Sequence, residues 1–186
     1  MLENVRIIEN KYDDFYTGNR KTSLEKAIEL TEGGVFAQFG VYRGESARWI
    51  LESHKCEELH LYDSFEGLPE DWNNKFKKGH FKCEIPNFED NRVSMYPGLF
   101  ENNIKSFNKI KFDLVHIDCD LYSATKTVLD NIIFFKNQIF VFDEMYNIPN
   151  SENHEMKAFN EWIIKNDIKY DIIGRTKYSQ VIIKII

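Results

Sequence analysis

The stretch VFAQFGVYRGES, residues 35–46, decides how this chain is organised. It opens as an apolar run typical of a buried strand, turns through Gly40 and Gly44, and continues with helical spacing. Glycines let a backbone approach a ligand closely, and the free N–H groups at the start of a helix can bind an anionic group. The same turn also occurs where tight packing is the only requirement, so its function depends on features elsewhere in the chain.

Strands and helices alternate on the carboxyl-terminal side of this turn. Apolar runs that predict buried strands lie at residues 35–39, 59–62, 92–96, 112–117 and 138–142. Helical spacing is found at residues 45–53, 100–107, 123–135 and 152–165. Ser123 is a candidate N-cap for the third of these helices. The alternation predicts right-handed βαβ crossovers and an α/β fold with a mostly parallel sheet, covered by helices on both faces.

The last two apolar runs, residues 170–173 and 180–186, differ from the others in their connection. The six residues between them suit a hairpin and are too short for a parallel crossover. We therefore expect seven strands, with the last one antiparallel. Residues 66–91 show no clean period and predict a long loop, a class that is usually functional or mobile in compact domains.

Composition limits the kinds of partner and the cellular compartment that we expect for this protein. The 30 acidic and 24 basic residues give a net charge of −6, which does not attract nucleic acid or an anionic membrane, so we expect a small-molecule partner. No apolar stretch approaches the ~20 residues of a membrane span. Three scattered cysteines and the polar start at residues 1–6 indicate a cytoplasmic protein without a disulfide framework or export signal. We expect a single domain over residues 1–186, because no repeat or linker interrupts it.

Asp63 ends the second predicted strand, roughly 20 residues after the glycine turn, as in many nucleotide-binding folds. A carboxylate at this place commonly accepts hydrogen bonds from both ribose hydroxyls of a nucleotide cofactor. An N-cap or a turn residue is the alternative for Asp63 alone. Together with the glycine turn, nucleoside binding is the better interpretation.

Acidic residues also end the fourth and fifth predicted strands. Strand alternation over residues 111–120 would place His116, Asp118 and Asp120 on one face, and Asp143 and Glu144 follow the next strand. Carboxylates crowded into one crevice raise each other's pKa, and a divalent cation relieves the repulsion. Their oxygen ligands favour magnesium, manganese or calcium over zinc. The alternative is helix capping by the carboxylates. His116 is better explained as a structural, hydrogen-bonded residue than as a ligand.

Four segments in order resemble one known family: FGVYRGESA at 39–47, LYDSFEGLPEDW at 61–72, FDLVHIDCDLYSAT at 112–125 and VFDEMYN at 141–147. They are similar to the macrocin O-methyltransferase-like family, class I S-adenosylmethionine (SAM) enzymes that methylate sugar hydroxyls in antibiotic and surface-glycan pathways. The resemblance implies a Rossmann-like, seven-stranded methyltransferase sheet with SAM as cofactor. It covers residues 35–146.

The resemblance also implies roles for particular residues. A magnesium ion is expected on Asp118, Asp143 and Glu144, with Asp120 as general base and Asp118 as a second catalytic residue. The residues expected to bind SAM are Gln38, Phe39, Gly40, Val41, Gly44, Ser46, Asp63, Ser64, Phe65 and Asp118. Gln38 stands where the family usually has an acidic residue that helps to hold the methionine ammonium group, and Glu144 stands where the family often has Asp.

The leading hypothesis from the sequence is a SAM-dependent, divalent-metal-assisted O-methyltransferase that acts on a hydroxyl of a sugar, glycoside or nucleotide sugar. One alternative is a non-catalytic SAM-binding domain. Another is a methyltransferase that acts on nitrogen or on a small phenol. A homodimer is a further expectation, based on the aromatic content of 15% and the short segment before the first strand.

Overall fold

The computed structural model describes residues 18–186. Residues 1–6, on which the expectation about export was based, lie outside the described residues. The strands are β1 (Gly34–Phe39), β2 (Cys56–Asp63), β3 (Val93–Pro97), β4 (Leu114–Ile117), β5 (Ile139–Phe142), β6 (Tyr170–Arg175) and β7 (Val181–Ile185). The helices are α1 (Arg20–Leu30), α2 (Glu45–Leu51), α3 (Phe100–Phe107), α4 (Tyr122–Asn131) and α5 (Glu155–Lys165).

Within residues 18–186, the seven strands form one sheet in the order β3-β2-β1-β4-β5-β7-β6. Strands β1 to β5 pair in parallel, whereas β7 runs antiparallel to both β5 and β6. The predicted α/β fold is therefore confirmed, including the antiparallel final strand. The strand order reverses between β1 and β4, and ligands of open parallel sheets bind beyond the carboxyl ends of strands at such a point.

Helices cover both faces of the sheet. Apolar residues of α1 and α2 pack on one face, and those of α3, α4 and α5 pack on the other. Much of the aromatic content belongs to this core, since Phe39 stacks on Tyr62 at 4.6 Å between ring centroids and Tyr62 stacks on Tyr96 at 4.7 Å. The aromatic content therefore has an explanation within one chain, and the homodimer stays a prediction.

The segment after β4 departs from the predicted strand and helix. Strand β4 ends at Ile117, and Asp120 adopts a left-handed backbone with φ 61°, so a turn rather than strand alternation places the acidic residues there. Ser123 is not an N-cap, because α4 begins at Tyr122 and its cap position is Leu121. The Ser123 hydroxyl instead donates a hydrogen bond to Glu70 at 2.5 Å.

The predicted loop over residues 66–91 is confirmed, since it contains neither helix nor strand. It folds back on itself through Leu68 and His80, whose backbone groups hydrogen bond at 2.8 Å. The contact between Glu70 and Ser123 joins it to the start of α4. No helix within the described part of the chain is long and apolar enough to cross a membrane.

Candidate active site

A cavity of about 1050 Å³ lies at the carboxyl ends of β1, β2, β4 and β5 and under the loop at residues 66–91. The predicted site residues that line it are Gly40, Val41, Ser46, Asp63, Ser64, Asp118, Asp120, Asp143 and Glu144. Four predicted SAM-binding residues are not among those lining it: Gln38, Phe39, Gly44 and Phe65. The structure thus brings the glycine turn and the acidic residues into one cavity.

Gly40 is required by the packing of the two strand ends. Its φ is 89°, and a Cβ atom there would lie 1.8 Å from the carbonyl oxygen of Asp118. The backbone at Asp118 is further tied to β1, since its N–H donates to the carbonyl of Phe39 at 2.9 Å. The glycine therefore lets the turn after β1 and the acidic segment after β4 approach each other directly.

Asp63 holds the glycine turn in shape. Its Oδ2 accepts hydrogen bonds from the backbone N–H groups of Val41 and Tyr42, both at 2.7 Å. Its Oδ1 accepts from the N–H of Phe65 at 2.8 Å. A carboxylate offers about four acceptor sites, so these three bonds leave roughly one for a ligand. Ribose recognition by Asp63 stays a prediction, and the structure adds a role in organising the backbone.

Asp63→Ala is expected to weaken SAM binding by roughly 1 to 3 kcal/mol, the usual effect of losing charge-assisted hydrogen bonds. Calorimetric titration with S-adenosylhomocysteine measures the change. Asp171→Ala removes an exposed carboxylate from β6 and serves as the matched control. Unchanged affinity in a folded Asp63→Ala protein would remove Asp63 from the cofactor site.

Gln38 lies in β1 beneath the turn and is completely buried. Its Nε2 donates to the carbonyl of Gly40 at 2.7 Å and to the hydroxyl of Ser46 at 2.8 Å. Its Oε1 has no hydrogen-bond partner among the described residues. The amide group therefore supports the turn by donating to it. A carboxylate at this position would have no N–H group to donate, and its oxygen would repel the carbonyl oxygen of Gly40.

Three carboxylates that follow β4 and β5 form an acidic cluster in the same cavity. One oxygen from each of Asp118, Asp143 and Glu144 lies within 4.8 Å of the others. Burial raises the pKa of Asp118 to about 6, although the charge of Arg20 opposes it. Burial and the charge of Asp143 raise the pKa of Glu144 well above its ordinary value. Such crowding is costly unless positive charge is supplied.

Arg20 supplies part of that charge from the first turn of α1. Its Nη2 contacts Asp118 Oδ2, and its Nε donates to Asp143 Oδ1 at 3.0 Å. For Asp143, burial acts to raise the pKa, but His116 and Arg20 outweigh it and the pKa is lowered. Arg20 could not be predicted as a site residue from the sequence, because no motif surrounds it and it lies 98 residues before Asp118.

His116 lies under this cluster in β4 and is completely buried, as a structural residue would be. Its Nε2 is 3.5 Å from Asp143 Oδ1, and neither ring nitrogen has a hydrogen-bond partner among residues 18–186. The expected hydrogen bond is thus reduced to a long polar contact.

Asp120 faces the same cavity as the cluster. Burial, together with the charges of Asp118 and Asp143, raises its pKa well above the ordinary value for a carboxyl group. A carboxylate with a raised pKa is a stronger base, so Asp120 is chemically suited to take a proton from a ligand in the cavity.

The fold and this cavity define the class I methyltransferase architecture, and comparison with known proteins agrees. Residues 37–135 match a family described as a methyltransferase domain. Because this segment is more than half of the sequence, the chain belongs to that family, and it is a SAM-dependent methyltransferase. A search of curated proteins found no match.

Solved structures share the fold. The O-methyltransferase NovP is 19% identical, with a TM-score of 0.69 over 89% of this chain and 78% of NovP. CalS11, a calicheamicin methyltransferase, is 17% identical, with a TM-score of 0.62 over 88% of this chain and 76% of CalS11. An O-methyltransferase from Bacillus cereus, solved with SAH, is 14% identical, with a TM-score of 0.54 over 100% of this chain and 90% of its own.

Proposed function

We propose that this protein is an O-methyltransferase of the macrocin-like type, which transfers the methyl group of SAM to a hydroxyl of a sugar, glycoside or nucleotide sugar with the help of a divalent cation. The observation that carries the proposal is the acidic cluster, which lies in the same cavity as the glycine turn. A structure similar in fold, at 16% identity, is described as a TDP-rhamnose 3'-O-methyltransferase, which supports a sugar acceptor.

The residues present fit a hard divalent cation. Asp118, Asp143 and Glu144 offer carboxylate oxygens only, the donor type that magnesium, manganese and calcium prefer. Glu144 Oε2 is buried and has no hydrogen-bond partner among the described residues. A cation would satisfy that oxygen. It would also compete with Arg20, which pairs with two of the three carboxylates.

The residues of this chain have distinct tasks in such a reaction. When bound, SAM supplies an electrophilic methyl group, and the divalent cation supplies positive charge beside the acceptor hydroxyl. Asp120 accepts the hydroxyl proton at a carboxylate oxygen, for which its raised pKa suits it. Asp63 keeps the turn after β1 in shape through the hydrogen bonds that it accepts from the N–H groups of Val41 and Tyr42. The loop at 66–91 contributes one wall of the cavity.

Acceptor screening tests the proposal. Purified protein, labelled SAM and magnesium are incubated with nucleotide sugars, free glycosides, small phenols and amines, each with and without EDTA. We expect methyl transfer to a sugar hydroxyl that is lost with EDTA and restored by magnesium. Transfer to an amine or phenol alone would identify a different acceptor, and tight SAM binding without any turnover would favour a non-catalytic SAM-binding domain.

Trp72 is expected to contact the acceptor. It lines the cavity, stacks on Phe76 at 5.2 Å and lies edge-on to His154 at 6.3 Å between ring centroids. The ring contact with His154 and the bond between Glu70 and Ser123 place it near the starts of α4 and α5. Aromatic contacts contribute about 0.5 to 1.5 kcal/mol beyond area burial, so Trp72→Ala should raise the acceptor KM by roughly 2- to 10-fold.

Steady-state kinetics at saturating SAM measure this change, and calorimetry should show unchanged SAM affinity. Tyr178→Ala removes an exposed aromatic ring outside the cavity and is the matched control. An unchanged acceptor KM, or an equal loss of SAM affinity, would place Trp72 outside the acceptor site.

A further inference from the structure

Glu155, the first residue of α5, is completely buried between the two acidic segments of the cavity. Its Oε1 accepts a hydrogen bond from the backbone N–H of Cys119 at 3.1 Å. Its Oε2 accepts from the backbone N–H of Glu144 at 3.0 Å. One carboxylate therefore joins the turn after β4 to the turn after β5.

The two N–H groups that it binds belong to the segments that carry the acidic cluster. Cys119 lies between Asp118 and Asp120, and Glu144 directly follows Asp143. We propose that Glu155 is a positioning residue that fixes the distance between these segments and so holds the three carboxylates in the arrangement that binds a divalent cation. This inference rests on the proposed function, since the link that Glu155 makes between the two turns serves the proposed metal site.

Electrostatics argue against a role in stability alone. A buried carboxylate is costly even when it is hydrogen-bonded, and Glu155 lies among other buried carboxylates that repel it. A neutral side chain in the first turn of α5 would avoid that repulsion. A carboxylate presents two acceptor oxygens on one rigid plane, so each of the two N–H groups has an oxygen of its own, and that geometry links the two turns.

The test compares the full-length protein with Glu155→Gln, which keeps the shape but turns an NH₂ group toward one of the two N–H groups. Mn²⁺ affinity is measured by electron paramagnetic resonance, and S-adenosylhomocysteine affinity by calorimetry. Residues that hold metal ligands in place typically contribute 10- to 100-fold to metal affinity, so we expect Mn²⁺ affinity to fall about tenfold or more. Cofactor affinity should stay within about twofold, and kcat should fall without a change in the KM for SAM.

Glu152→Gln is the matched control, since Glu152 is exposed in the turn before α5 and does not line the cavity. If Glu155→Gln does not fold, Glu155→Asp is measured instead, and its shorter arm should produce the same loss of Mn²⁺ affinity. Equal Mn²⁺ affinity in the wild type and the variant would leave the metal site standing and overturn the positioning role of Glu155. Parallel losses of metal and cofactor affinity would also overturn it, in favour of general stability. A wild-type protein that binds no Mn²⁺ would overturn both the metal site and the positioning role of Glu155.

Discussion

Asp143→Asn is expected to abolish methyl transfer while SAM binding is retained. Asp143 provides one of the three oxygens that lie within 4.8 Å of one another, and it is buried. An amide keeps the size and still accepts from Arg20, but it removes the charge that a cation needs. Metal stabilisation of a reacting oxygen contributes several kcal/mol, so the rate should fall by about 10³-fold or more.

Labelled methyl transfer and calorimetric titration with SAM measure the two halves of this prediction. Asp171→Asn, an exposed position on β6, is the control for a change from carboxylate to amide. EDTA should reproduce the variant in the wild-type protein, and added magnesium should reverse the chelation but not the substitution. Turnover that survives both EDTA and Asp143→Asn would refute the metal mechanism.

Local patterns were sufficient to predict the sheet and the acidic cluster. The strands are apolar runs separated by helical spacing, and the six residues between the last two predicted runs permit only an antiparallel return. Strand position predicted that Asp118, Asp120, Asp143 and Glu144 share one crevice, because parallel neighbours bring their carboxyl ends to one edge. The choice of three of them as metal ligands came from the family resemblance. Both inferences use information contained within short stretches of the chain.

Two residues that complete the site carry no local signal. Arg20 reaches Asp118 and Asp143 only because α1 packs on the sheet, a contact that spans 98 and 123 residues of sequence. Glu155 stands in the first turn of a helix, where an acidic residue is ordinarily explained by the helix dipole. Its burial becomes visible only when α5 is placed against the ends of β4 and β5.

Backbone conformation explains the remaining differences. The alternation expected over residues 111–120 stops at Ile117, because the chain leaves the sheet and Asp120 takes a left-handed conformation. Gln38 does not line the cavity and its Nε2 bonds to the glycine turn, so its contact with SAM stays a prediction. Hydrophobic patterns identify strands, whereas the direction of the chain after a strand depends on tertiary contacts.

Asp120→Asn is expected to separate proton transfer from metal binding. Asp120 lines the cavity but is not one of the three clustered residues, so the variant should keep the Mn²⁺ and SAM affinities of the wild type. General-base catalysis typically contributes ~10²- to 10⁴-fold, and kcat should fall by a factor in this range. Single-turnover methyl transfer with bound SAM measures the loss without interference from product release.

The pH dependence provides a second, independent readout. Burial and neighbouring carboxylates raise the pKa of Asp120, so the wild-type rate should fall as the pH drops through this raised pKa and Asp120 becomes protonated. An asparagine at residue 120 cannot titrate, so the part of the acidic limb that belongs to Asp120 should disappear from the profile of the variant. The fall in rate that remains should follow protonation of Asp118 and Glu144, whose pKa values burial also raises. A variant that retained the wild-type rate, or a slow variant with an unchanged acidic limb, would show that another group takes the proton. A loss of Mn²⁺ affinity would instead assign Asp120 to the metal site.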